Sequence, residues 1–180
     1  MEFEIALVRA LQAFRRPWLD DAMVLASALG AGAFIWIITG SIAGIFPRHT
    51  AAMWRLWLAL ALSFLVVDDL AKPFFARQRP FQVMPDVRLI DARPASGSFP
   101  SGHAAMAAAG ALSVAQMLPH AGWIVWPLAA VIAFSRVYLA VHWPTDVLAG
   151  GVLGLAIGWF VQGDWRPRGP ATPARSRWLR

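Results

Sequence analysis

The chain has 180 residues, of which 58% are hydrophobic and 14% charged, with a formal net charge of +6 and no cysteine. Soluble domains average about 25% charged residues, so this composition and a mean hydropathy of +0.54 exclude an ordinary soluble domain and point to lipid. The missing cysteines exclude disulfides and thiolate metal sites.

Along the N-terminal stretch, Phe3, Ile5, Ala6, Leu7, Ala10, Leu11 and Phe14 recur near a 3.6-residue period, with Glu4, Arg9 and Gln12 on other faces. About a dozen residues is too short for a span of roughly 20, so the pattern predicts an amphipathic helix in the interface. A sixth, tilted span is the alternative. Its scattered charges are unlike a signal peptide.

Five apolar segments follow, at about residues 22–46, 53–70, 103–118, 122–141 and 144–161, each a predicted transmembrane helix. The third is short and opens beside polar residues. Trp18, Trp54, Trp57, Trp123, Trp143 and Trp165 fall near span ends, as headgroup-level aromatics do. The expected architecture is therefore all-α: an integral-membrane bundle of five to six spans with an N-terminal amphipathic helix. Residues 1–163 form one membrane domain, and 164–180 a flexible, basic Pro/Arg-rich tail.

That tail carries Arg166, Arg168, Arg175, Arg177 and Arg180. Beside apolar spans it reads as a cytoplasmic anchor against anionic headgroups rather than a nucleic-acid site. Alternation of spans then puts the polar connection 71–102 and the turn around His142 on the outward side.

Three clusters meet that outward surface: KPFFARQRP with Lys72 and Arg79, PSGH with Ser101, Gly102 and His103, and SRVYLAVHWPTD with Arg136, His142 and Asp146. Each has a plain structural reading: snorkelling cations, a helix start capped by Ser101, a carboxylate at the positive end of a helix, structural histidines. Taken together they point further. Arg136 lies in an apolar run where a central cation costs about 2.5–3.5 kcal/mol, and three cations converging with few carboxylates imply a bound anion. Guanidinium forks suit phosphate, and the helix opened by Gly102 offers free N–H groups to one. His142, four residues before Asp146, has a carboxylate within reach of one ring nitrogen and the other left to attack phosphorus. His103 then protonates the leaving oxygen. Zinc held by His103, His142 and Asp146 is an alternative that leaves the cations unexplained. A non-enzymatic anionic-lipid scaffold or transporter is another, with no use for an oriented neutral imidazole.

Lys72, six residues, Arg79-Pro80; Pro100-Ser101-Gly102-His103; and Ser135-Arg136, five residues, His142, three residues, Asp146 together resemble the tripartite signature of the type 2 phosphatidic acid phosphatase superfamily, in its bacterial membrane branch. The resemblance implies a metal-independent lipid phosphatase of the bacterial cytoplasmic membrane, without a cofactor, working through a phosphohistidine. His142 would be nucleophile, Asp146 its orienting carboxylate, and His103 the general acid. Lys72, Arg79, Ser101, Gly102 and Arg136 would bind phosphate. The partners implied are the bilayer and a lipid phosphate or diphosphate, undecaprenyl diphosphate first, with phosphatidylglycerophosphate and phosphatidate as alternatives. No oligomeric state follows from the sequence.

Overall fold

The computed structural model describes residues 2–90 and 93–163, whose regular secondary structure is all helical, with no strand among them. Helix α1 (Glu2–Ala13) is followed by α2 (Pro17–Gly30) and α3 (Phe34–Gly44), joined by a tight turn in which Gly32 and Ala33 take positive φ. Helix α4 (Thr50–Phe64) continues through a π-helical stretch, Leu65–Ala71, into the short α5 (Lys72–Phe75). A further short helix, α6 (Pro80–Val83), precedes an irregular segment that leads to α7 (Gly102–Met117), α8 (Gly122–Tyr138) and α9 (Pro144–Gln162).

Among the described residues, four segments are long and apolar enough to cross a membrane: Pro17–Gly44, Pro47–Val83, Pro119–Tyr138 and Pro144–Gln162. Leu58, Ile42, Leu148, Val152 and Phe160 stand exposed on their outer faces, as lipid contact requires. The remaining predicted span departs from expectation. Helix α7 has only 16 residues, about 24 Å at 1.5 Å per residue, and lies inside the bundle against α3, α4, α8 and α9. Hydropathy identifies an apolar helix there but not that protein, rather than lipid, surrounds it.

The sequence of α7, GHAAMAAAGALSVAQM, explains its central place. Small side chains let backbones approach closely where no hydrophobic drive separates helix contact from lipid contact. On α9, Gly150, Gly154 and Gly158 form the matching stripe; a Cβ at Gly150 would strike the Ser101 carbonyl, and one at Gly154 the Ala105 backbone. Gly110 of α7 in turn leaves room for the Trp36 ring, itself buried with Leu56, Leu60, Met106, Val114 and Ile132 in the main core.

Helix α1 has 12 residues, about 18 Å against a hydrocarbon core of about 30 Å, so the sixth-span alternative does not hold. Phe3 and Phe14 point outward while Val8 packs with Met84, Val87, Val137, Ala140 and Trp143. Glu4, placed by its spacing on a polar outer face, instead turns inward and is buried. Trp143 also departs from expectation: it is 1% exposed and donates its indole N–H to the Gln78 carbonyl at 2.9 Å, whereas Trp18 and Trp123 do stand exposed at span ends. The arginine tail and Trp165 lie outside the described residues.

Candidate active site

The outward ends of α7, α8 and α9 converge on one buried cluster. Ser101 caps α7, its hydroxyl accepting from the Ala104 N–H at 3.5 Å, and its own N–H donates to the Asp146 carbonyl at 2.9 Å. Pro144 opens α9 with its fixed φ, and Asp146 in the first turn accepts the Trp143 N–H at 2.8 Å. The Trp143 N–H bond satisfies one orphan donor of the helix start. Between α8 and α9 the chain reverses through Ala140, whose φ of 57° is left-handed. The amides of Val141 and His142 then fold back onto the Arg136 carbonyl at 3.2 and 3.1 Å. This closed turn fixes where His142 points.

His142 is 2% exposed. Its Nδ1 lies 2.7 Å from the Ser98 carbonyl oxygen and 3.6 Å from Asp146 Oδ2. A carbonyl only accepts, so Nδ1 carries the proton and Nε2 keeps its lone pair. The Asp146 oxygen, beyond hydrogen-bond range, is a neighbouring charge rather than the direct acceptor. Burial, chiefly, together with the charges of Arg79 and Arg136, lowers the His142 pKa to about 4 against the pull of Asp146. The ring is therefore neutral at physiological pH.

Arg79 is 1% exposed and reaches Nε2 of His142 at 3.3 Å through Nη1. Its other donors go to the carbonyls of Val141 at 2.6 Å, Ser96 at 2.9 Å and Gly97 at 2.9 Å, and to the Ser96 hydroxyl at 3.4 Å. One guanidinium thus ties the segment before α7 to the His142 turn. Arg136, also buried, donates to the Ser27 hydroxyl of α2. Lys72, buried, pairs with Asp68, whose carboxylate packs against Gly102. His103, half-buried, lies against Gly30, where an added Cβ would come within 3.2 Å of its ring. Burial, chiefly, with the charges of Arg136, His142 and Lys72, lowers its pKa to about 3, so its protonation calls for the negative charge of a phosphate beside it.

All eight residues singled out by sequence spacing thus sit around one point. The sequence did not reveal several side chains beside them. Arg77 donates to Asp146 Oδ1 at 2.6 Å and to Glu4 at 2.7 Å. Its guanidinium lies 5.5 Å from the Trp143 ring centre. Ser98 contributes a carbonyl, which leaves no trace in residue pattern; Ser27 is an unremarkable hydroxyl within a span. Arg77 alone left a signal, as a third cation inside KPFFARQRP. Among the described residues no three His, Asp or Glu side chains converge as a metal would require.

The chain resembles known proteins over most of its length. It is 32% identical over 156 residues to the undecaprenyl-diphosphatase of Sulfolobus acidocaldarius, covering 84% of this chain and 73% of that protein. It is 31% identical to the lipid A 4'-phosphatase of Porphyromonas gingivalis, covering 99% of this chain and 77% of the relative. The crystal structure of a transmembrane PAP2 type phosphatidylglycerolphosphate phosphatase from Bacillus subtilis superposes with a TM-score of 0.75 at 30% identity, over 90% of this chain and 84% of that one. The model of the PAP2 superfamily matches residues 52–168, more than half of the chain. Sequence, fold and membrane spans agree that the chain belongs to the PAP2 superfamily and is an integral-membrane lipid phosphatase.

Proposed function

We propose that the chain hydrolyses the terminal phosphate of a prenyl diphosphate, undecaprenyl diphosphate foremost, through a phosphohistidine on His142. The observation that carries the chemistry is the tautomer: with Nδ1–H bound to the Ser98 carbonyl at 2.7 Å, the Nε2 lone pair is the reactive end of a neutral, buried imidazole. Nε2 attacks phosphorus, the bond from phosphorus to the lipid oxygen breaks, and His103 donates a proton to that oxygen. Water then cleaves the N–P bond, with His103 taking its proton, and inorganic phosphate leaves. Lys72, Arg79, Arg136, the Ser101 hydroxyl and the Gly102 N–H hold the phosphoryl oxygens, where phosphoryl transfer chiefly needs charge stabilised. Nη1 of Arg79, now on Nε2, passes to a phosphoryl oxygen as attack begins. Asp146 supports the imidazolium-like charge that develops.

The choice of lipid rests on the undecaprenyl-diphosphatase relative. The site faces the exterior of the bacterial cytoplasmic membrane and the arginine tail the cytoplasm, a reading supported by the Arg bias of the sequence. The test is phosphate release in detergent from undecaprenyl diphosphate, phosphatidylglycerophosphate and phosphatidate at equal concentration, with EDTA present. Fastest turnover on the diphosphate and its loss in His142→Ala are expected. Equal rates in His142→Ala would overturn the nucleophile, faster turnover of a glycerolipid the substrate, and loss in EDTA restored by zinc the metal-free mechanism.

A further inference from the structure

Beneath the catalytic cluster a chain of charged groups runs outward to the surface helix. Asp146 is completely buried, and its Oδ1 accepts from Arg77 Nη1 at 2.6 Å. The same nitrogen donates to the Thr145 hydroxyl at 2.7 Å, and Nη2 donates to Glu4 Oε2 at 2.7 Å. Thr145 closes the ring, its hydroxyl donating to Glu4 Oε1 at 2.6 Å and its amide to the same oxygen at 3.3 Å. The three elements joined are distant in sequence: α1, the segment between α5 and α6, and the first turn of α9.

Each link has a physical cause. A buried carboxylate is tolerated only when paired and hydrogen-bonded, and Asp146 gets a cation on one oxygen and the Trp143 amide on the other. A guanidinium is the cation that can serve two carboxylates at fixed angles. Glu4 supplies the second. Burial works to raise its pKa, but the hydrogen bonds from Thr145 and Arg77 outweigh burial and hold it below the ordinary carboxylate range. Val8, one turn on, seats the helix against Trp143.

We propose that Arg77, held by Glu4 of α1, is a positioning residue that fixes the Asp146 carboxylate beside the nucleophilic histidine, so that the interfacial helix is a working part of the active site. The inference rests on the phosphohistidine reading. Neither side chain touches the phosphate cradle. Their loss therefore lowers kcat and leaves KM within about twofold, since transition-state support is removed and ground-state binding is not.

The experiment is a double-mutant cycle on the full chain in detergent, with Glu4→Ala, Arg77→Gln and the pair, measured beside the parent enzyme. A fall in kcat of roughly 10- to 100-fold is expected for Arg77→Gln, the scale at which outer partners of a site act. Glu4→Ala should cost less alone and almost nothing in the Arg77→Gln background, because both act through one carboxylate. Arg77→Lys, which keeps a cation but loses the second arm, should recover part of the rate. Thermal unfolding separates folding from positioning, and Glu4→Gln, which keeps the size and one acceptor oxygen but not the charge, replaces Glu4→Ala if the latter does not fold. Unchanged kcat in folded variants, or a Glu4 effect equal in both backgrounds, would overturn the proposal while leaving the phosphatase reading intact. A parent protein that releases no phosphate from any of the lipid phosphates overturns both.

Discussion

The amide of Ser101 donates to the carbonyl of Asp146 at 2.9 Å, so the N-cap of α7 and the first turn of α9 are bonded backbone to backbone within the candidate site. This bond sets the start of α7 in register with the turn that carries His142, and it depends on the glycine stripe just beyond it.

Gly150→Ala is expected to disturb that register. Its Cβ would overlap the Ser101 carbonyl and come within 3.1 Å of the Ser101 amide nitrogen, all backbone atoms that cannot swing aside. Overpacking costs about 1–3 kcal/mol, and here the displaced atoms belong to a residue proposed to hold phosphate. Activity should therefore fall further than the unfolding midpoint in detergent suggests. Gly151→Ala, with nothing within 4 Å of its added methyl, serves as the matched neutral control; a loss of activity there as large as at Gly150 would refute the account.

The acid limb of the kcat/KM profile should lie near pH 4, where His142 titrates, and not near the ordinary histidine value of about 6.5. The sign follows from the causes of the shift. Burial and the charges of Arg79 and Arg136 disfavour the imidazolium, so the lone pair survives well into acid. Removing a cation in Arg79→Gln should raise the His142 pKa and move the residual limb upward. A limb that stays in place would separate the arginine from the ring.

Stability should follow the same group in linked fashion. With a folded pKa near 4, the unfolded chain binds a proton that the folded chain does not between about pH 6.5 and 4. Stability contributed by His142 is then complete above the upper value and declines as pH falls through the window. His142→Asn should flatten the slope of unfolding midpoint against pH across that range.

Asp68→Asn should strengthen inhibition by orthovanadate, a phosphate mimic. The Asp68 carboxylate pairs with Lys72 and packs against Gly102 at the start of α7, the ground on which a phosphate would be held, and like charges there oppose one another. A several-fold lower inhibition constant is expected. A weaker one would make Asp68 a support for Lys72 rather than a competitor of the anion.

The outer architecture was legible because lipid imposes it. Long apolar runs such as 144–161 have one stable solution in a bilayer, and the spacing from Lys72 to Asp146 marks the cluster without any knowledge of distance. What stayed hidden depends on neighbours far along the chain. Arg77 and Asp146 lie 69 positions apart, Glu4 and Thr145 lie 141 apart, and no periodicity reports such pairings. Residue types visible in sequence point to a carboxylate as the histidine's acceptor, whereas the nearest acceptor is a backbone carbonyl. Trp143 reads as an interface aromatic until the guanidinium above it is seen.

Enclosure of α7 has a consequence for how the protein meets different membranes. A span that faces lipid adjusts its tilt to bilayer thickness, but a 16-residue helix packed against α3, α4, α8 and α9 meets mostly protein. Its height is fixed by the close contact of Ala105 with Gly154. Thicker or thinner bilayers act on the lipid-facing sides of the outer helices, while α7 and α9, locked together by this contact, hold Ser101 and Asp146 at one height.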